Sequence, residues 1–159
     1  MVLPMPKQVK SKQRVSEFGE VNTSKREVES MLDLVIHETE RLDSRFLEPA
    51  CGDGNFLIEV LRRKLRILVK NYKNNQYEFE KNSIVMIGSI YGLEILEDNA
   101  ESARKRLFTE FLKVYEKHFR KNINKNLIKS IKYILKRNII HGDALTLKQV
   151  TSEKPVIFL

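Results

Sequence analysis

The chain has 159 residues, 42% of them apolar, which suits one domain with an ordinary core. Its single cysteine, Cys51, excludes an internal disulfide, and no apolar run is long enough to span a membrane; both fit a cytoplasmic setting. The net charge of +8 is uneven, with twelve Lys or Arg against two Glu from Arg104 to Arg137 and seven against two from Arg62 to Lys81. That pattern fits a polyanionic partner as well as it fits solvated helix faces.

In chain order, residues 1–17 are basic and polar with two prolines, lack the apolar core of a secretory signal, and are expected to form a flexible leader to a domain over 18–159. Thr23 or Ser24 can cap a helix over about 25–41, in which Ser24 and Glu27 form a capping-box pair and Val28, Met31, Leu32, Val35 and Ile36 recur at helical spacing. A short strand over Arg45 to Glu48 runs into the turn Pro-Ala-Cys-Gly-Asp-Gly. Phe56, Leu57, Val60, Leu61, Leu65 and Leu68 then mark a helix to about residue 71.

Asn71 to Asn82 is polar and asparagine-rich and is expected to be a loop or insertion, with a central strand inside the apolar run Ser83 to Ile95, ending at Glu94. Asp98 can cap a third helix, and a further helix is expected over about 124–136. Asn138 to His141 is a third strand leading into Gly-Asp-Ala. Pro155 to Leu159 is expected as a fourth strand with an unpaired edge. Strand and helix alternate, which predicts an open parallel α/β sheet with its ligands at the carboxyl ends of the strands.

Three candidate clusters fall at those ends: Glu48 to Gly54, Glu94, and Asp143. The turn is neither G-x-G-x-x-G nor G-x-x-x-x-G-K-[ST], and carboxylates at Glu48 and Asp53 would repel a pyrophosphate. They suit an ammonium, a sulfonium or sugar hydroxyls. An acid at a strand end is also an ordinary helix cap or loop residue, so the order of all three clusters carries more than any one. Cys51 fits a packing role in the turn, and His37, His118 and His141 lack metal-ligand spacing.

The segment Glu48-Pro-Ala-Cys-Gly-Asp-Gly-Asn-Phe56 resembles motif I of the S-adenosylmethionine-dependent methyltransferases, in the wording of the adenine-N6 DNA methyltransferases of restriction–modification systems. The resemblance implies the N-terminal half, about four strands, of a Rossmann-like class I methyltransferase sheet, with S-adenosyl-L-methionine as cofactor. It implies that Glu94 holds the ribose diol, that Ile95 packs on the adenine, and that Asp143, beside Ala144, accepts from the adenine amino group. Gly52 would approach the methionine part, with Ala50, Asp53 and Gly54 around it. Phe18 to Val28 resembles motif X, of which Thr23 alone carries over.

Two departures accompany the match. Glu94 lies forty residues beyond Gly54, about twice the usual roughly 20-residue spacing, which an insertion over about 66–83 would explain. The (Asp/Asn)-Pro-Pro-(Tyr/Phe) motif on which the family stacks its flipped target base is not found in the 159 residues. The resemblance therefore implies DNA as partner, together with a second methyltransferase half or restriction-system subunits. The alternative is a truncated or non-catalytic cofactor-binding or assembly module.

Overall fold

The computed structural model describes residues 23–159, so the leader and the Phe18 to Asn22 part of the motif X match lie outside the described residues. The order of elements is α1 (Lys25–Asp33), α2 (Ile36–Thr39), β1 (Phe46–Glu48), α3 (Asn55–Tyr72), α4 (Gln76–Gly88), β2 (Ile90–Glu94), α5 (Glu97–Phe119), a 3-10 turn (Arg120–Asn122), α6 (Lys125–Asn138), β3 (Ile139–Asp143) and β4 (Lys148–Gln149). The sheet runs β1-β2-β3-β4, parallel in the first two pairings and antiparallel in the last. This is a mixed α/β architecture with a mostly parallel four-stranded sheet, compatible with a Rossmann-like fold.

Register places the candidate acids. Phe46 pairs with Ile90, Glu48 with Gly92, Gly92 with Ile139 and Glu94 with His141. Side chains alternate faces along a strand, so Glu48, Glu94 and Asp143 share the face of Phe46, Ile90 and Ile139. That face carries the helices, since Gly92 meets α3 there: a Cβ on Gly92 would stand 2.9 Å from Cys51 Sγ and 3.0 Å from Leu57 Cδ1. Leu47 and Tyr91 point to the other face, where Phe158 packs edge-on to Tyr91 at 5.1 Å.

Helix starts follow ordinary capping chemistry. Ser24 and Glu27 make both bonds of the capping box at α1, so Ser24 rather than Thr23 is the cap. Asn75 caps α4 through Glu78 N at 3.1 Å, and Asn124 caps α6 through Asn126 N and Leu127 N. The core joins α3, α4, α5 and α6 through Leu61, Leu68, Phe79, Met86, Leu107, Phe111, Tyr115 and Ile131, all buried.

Three expectations are corrected. The single helix over 25–41 is two, α1 and the one-turn α2, with Val35 at φ −121° between them. The insertion is a helix rather than a loop: Phe79, Ser83, Met86 and Ile87 are buried at helical spacing, and the Ser83 hydroxyl donates to Phe79 O at 2.7 Å. The central strand lies inside the apolar run and ends at Glu94 as expected, as β2 from Ile90, while Ile84 and Val85 belong to α4. Asp98 lies inside the first turn of α5, whose N-cap is Leu96.

Pro155 to Leu159 forms no strand, and the sheet is not wholly parallel. Lys148–Gln149 turns back antiparallel on Gly142 and Asp143, and Pro155 makes only an isolated bridge to Lys148. Proline has no N–H to extend that ladder. Among the described residues β1, which pairs with β2 alone, forms one sheet edge and the two-residue β4 the other. No described helix is long and apolar enough to cross a membrane.

Candidate functional site

The turn after β1 is built by backbone conformation. Gly52 and Gly54 lie at φ 54° and 91°, left-handed values that L side chains rarely adopt, and Gly54 begins α3. Gly54 N donates to Cys51 O at 2.9 Å, and Cys51 N donates to Leu93 O at 2.9 Å, which fastens the turn to the end of β2. A Cβ on Gly54 would also stand 3.1 Å from Ala103 Cβ of α5. Gly54→Val is accordingly expected to cost about 2–4 kcal/mol from backbone strain and overpacking, read as a lowered midpoint in urea.

Glu94 organises the centre. Its side chain is 6% exposed. Oε2 accepts from Gly52 N at 2.8 Å and Oε1 accepts from Leu96 N at 2.9 Å, so one carboxylate holds the glycine turn and the start of α5 together. Each oxygen keeps a further lone pair for a hydroxyl donor. Charge-assisted bonds of this kind are stronger than neutral ones.

Glu48 differs. It is half-buried on the same sheet face, makes no hydrogen bond or ion pair among the described residues, and burial raises its carboxyl above the ordinary 4.5. An unengaged carboxylate beside a glycine turn is matched to a cationic ligand group. Cys51 lies between the acids. Burial, then the nearby Glu94 and Glu48 charges, push its thiol up to about 12, so it is un-ionised at neutral pH and unsuited to nucleophilic work.

The remaining expected residues are placed unevenly. Asp53 turns to the helices, where Arg106 of α5 pairs with its Oδ2 at 2.6 Å, donates to its backbone O at 2.7 Å and reaches Asn55 Oδ1 at 2.8 Å. Asp53 therefore anchors the turn. Asp143 sits at the surface end of β3 and closes its own turn, accepting from Leu145 N at 2.8 Å and Thr146 Oγ1 at 3.0 Å, which lowers its carboxyl below the usual range. Ile95 is 45% exposed, an apolar surface beside Glu94, and its carbonyl lies 3.0 Å from His141 Nε2. Ala50 is exposed and Ala144 half-buried, while Thr23 makes no hydrogen bond to the strand ends among the described residues. Arg106 was not foreseen, because nothing in its local pattern separates it from the other cations of a basic helix.

An acid-lined glycine turn at one strand end, a second acid clasping it, and a third at the next strand end thus gather at the carboxyl ends of β1, β2 and β3. Compared with known families, residues 20–154 match the model described as "MmeI, DNA-methyltransferase domain". The chain belongs to this family. Membership places it among DNA methyltransferase-like proteins of the restriction–modification type. No curated protein and no solved structure matches it. Within the MmeI methyltransferase-domain family, the match spans β1, the glycine turn, β2 and β3, and so includes every strand-end residue discussed above.

Proposed function

We propose that this chain is the S-adenosyl-L-methionine-binding part of an adenine-N6 DNA methyltransferase of a restriction–modification system. The observation that carries the reading is Glu94 bonded at once to Gly52 N and Leu96 N, with the unengaged Glu48 carboxylate on the same sheet face. When bound, this cofactor supplies an electrophilic methyl group on a sulfonium.

The chain's own residues would perform the holding. Gly52 and Gly54 leave backbone open to the methionine part, and Glu48 offers its negative charge to the ammonium or sulfonium. Glu94 offers its remaining lone pairs to the ribose hydroxyls, and exposed Ile95 offers an apolar face to the adenine. Asp143 and Ala144 close the adenine end. Adenine as the methyl acceptor rests on the motif I wording, and DNA as partner rests on the basic helices together with the family.

Calorimetric titration of S-adenosylmethionine tests the reading. Wild type is expected to bind and Asp143→Ala to bind about tenfold more weakly, a difference of about 1.4 kcal/mol. Equal binding in both, or none in either, would contradict it. Association is also expected to weaken as pH falls through the raised carboxyl range of Glu48, because protonation removes the charge that faces the cation. Glu48→Gln should flatten that dependence.

A further inference from the structure

The C-terminal halves of α3 and α5 lie side by side and enclose a groove of about 500 Å³. Both helices start at the carboxyl ends of strands and run back along the sheet, so the groove lies at the end of the domain opposite the glycine turn. Its floor is apolar, made by Leu65, Val69 and Val114. Its edges are cationic. On α3, Arg62, Arg66 and Lys70 recur every four residues, which puts them in one row along the helix; on α5, Lys117 lines the facing edge, and Lys113 lies one turn before it, outside the lining.

The acids nearby are already engaged. Glu110 bonds to Arg62 Nε at 2.8 Å and approaches Lys113 at 3.9 Å, and Glu59 lies 3.6 Å from Arg66. Arg66 nevertheless stays 69% exposed, and Lys70 and Lys117 make no ion pair among the described residues. His118 at the groove end feels the same field: burial first, then Lys117 and Lys73, hold its imidazole below its ordinary value.

We propose that this groove is a docking site for an acidic amphipathic helix supplied by another polypeptide segment. Cationic edges over an apolar floor match a helix with Leu-type residues on one face and Glu or Asp flanking them, the helix-in-groove mode of recognition. From residue 62 to 70 the row is about 12 Å long, enough for two to three turns of such a helix. A phosphate backbone fits less well, since it would desolvate against Leu65, Val69 and Val114 with nothing polar to meet it. A second copy of this chain, at net charge +8, and its own basic residues 1–17 both carry the wrong sign. Exposed ion pairs give little energy, so the floor supplies affinity and the edges supply orientation and selectivity.

The test is fluorescence anisotropy on the full chain with a labelled helical peptide of about 15 residues, Leu along one face and Glu elsewhere. Roughly micromolar binding is expected. A scrambled peptide that breaks the Leu face, and the double variant Arg66→Glu/Lys117→Glu with unchanged circular dichroism, should each bind at least about tenfold more weakly. Arg66→Lys/Lys117→Arg, which keeps the charge, should bind as wild type, and so should Glu94→Gln, which separates this site from the donor site. Equal binding by the scrambled peptide or the charge-reversed variant would overturn the proposal. So would charge reversal that weakens a labelled DNA duplex and leaves the peptide unaffected, which would make the groove a nucleic-acid surface.

Discussion

Glu94→Gln is expected to weaken S-adenosylmethionine binding by at least about 100-fold, close to 2.7 kcal/mol, when measured by calorimetry against wild type. The substitution keeps size and shape but exchanges one acceptor oxygen for an NH₂ donor. Glu94 Oε2 and Oε1 each accept a backbone N–H, from Gly52 and from Leu96, so whichever way the amide turns, one N–H meets another donor in a buried place. An unsatisfied buried amide costs about 1–3 kcal/mol, and the charge that strengthened both bonds is gone. Gly52 then loses the bond that fixes its amide, the turn relaxes, and the ribose loses its acceptors together with the methionine end. Folding stability should fall by about 1–3 kcal/mol in the same variant. Glu97→Gln, at an exposed position in the first turn of α5, should leave both quantities unchanged. Unaltered cofactor affinity in Glu94→Gln would remove Glu94 from the site.

The second large effect is on stability, at Lys64. This side chain is fully buried in α3, where Nζ donates to Ser89 Oγ at 2.7 Å, to Leu42 O at 3.1 Å and to Ser44 O, and lies 5.2 Å from the Phe46 ring centre. One ammonium thus ties the approach to β1 and the start of β2 to the same helix, which sets the level at which the glycine turn emerges. Lys64→Ala is expected to destabilise the fold by about 3–5 kcal/mol, from the cavity left by the stem and from the carbonyls left without a donor. Lys64→Met fills the space and should cost about 1–3 kcal/mol, chiefly at Ser44 O.

Lys64 also makes a signed prediction with pH. Burial lowers its ammonium from 10.5 to about 8, so between these values the unfolded chain holds the proton that the folded chain has released. Stability contributed by this group therefore rises with pH through that window, by about 1 kcal/mol between pH 8 and 9. Cys51 acts with the opposite sign as pH approaches its ordinary 9.0, but this smaller loss is shared by Lys64→Met, so the difference between the two chains isolates Lys64. Urea unfolding at pH 8 and pH 9 should show the gain in wild type and not in Lys64→Met. A wild-type stability that falls over this interval as much as the variant's would contradict the assignment.

Much of the strand-end geometry could be read in the sequence because it rests on local chemistry. The two glycines announced the turn, Ser24 and Glu27 announced a cap, and Glu94 and Asp143 stood where strands end before helices or turns. What failed was decided by tertiary packing. Ile84 and Val85 suit a strand by shape, yet Phe79, Ser83, Met86 and Ile87 find a buried surface only as a helix between α3 and α6. Pro155 to Leu159 has strand composition but no free ladder to join beyond Gly142 and Asp143. The turning of Asp53 toward Arg106, fifty-three residues away in sequence, has no local signature at all. Helix-borne cations look alike until the fold assigns each a partner, which is also why the cationic edges of the α3–α5 groove become visible only in three dimensions.

The most direct test of the donor-site assignment is a titration of the ¹⁵N-labelled chain with S-adenosylmethionine followed by amide resonances. Saturable shifts are expected at Gly52, Gly54, Ile95, Leu96 and Ala144, all at the carboxyl ends of β1, β2 and β3, with the α3–α5 groove unmoved. Shifts absent from these amides, or confined to residues around Arg66 and Lys117, would contradict it.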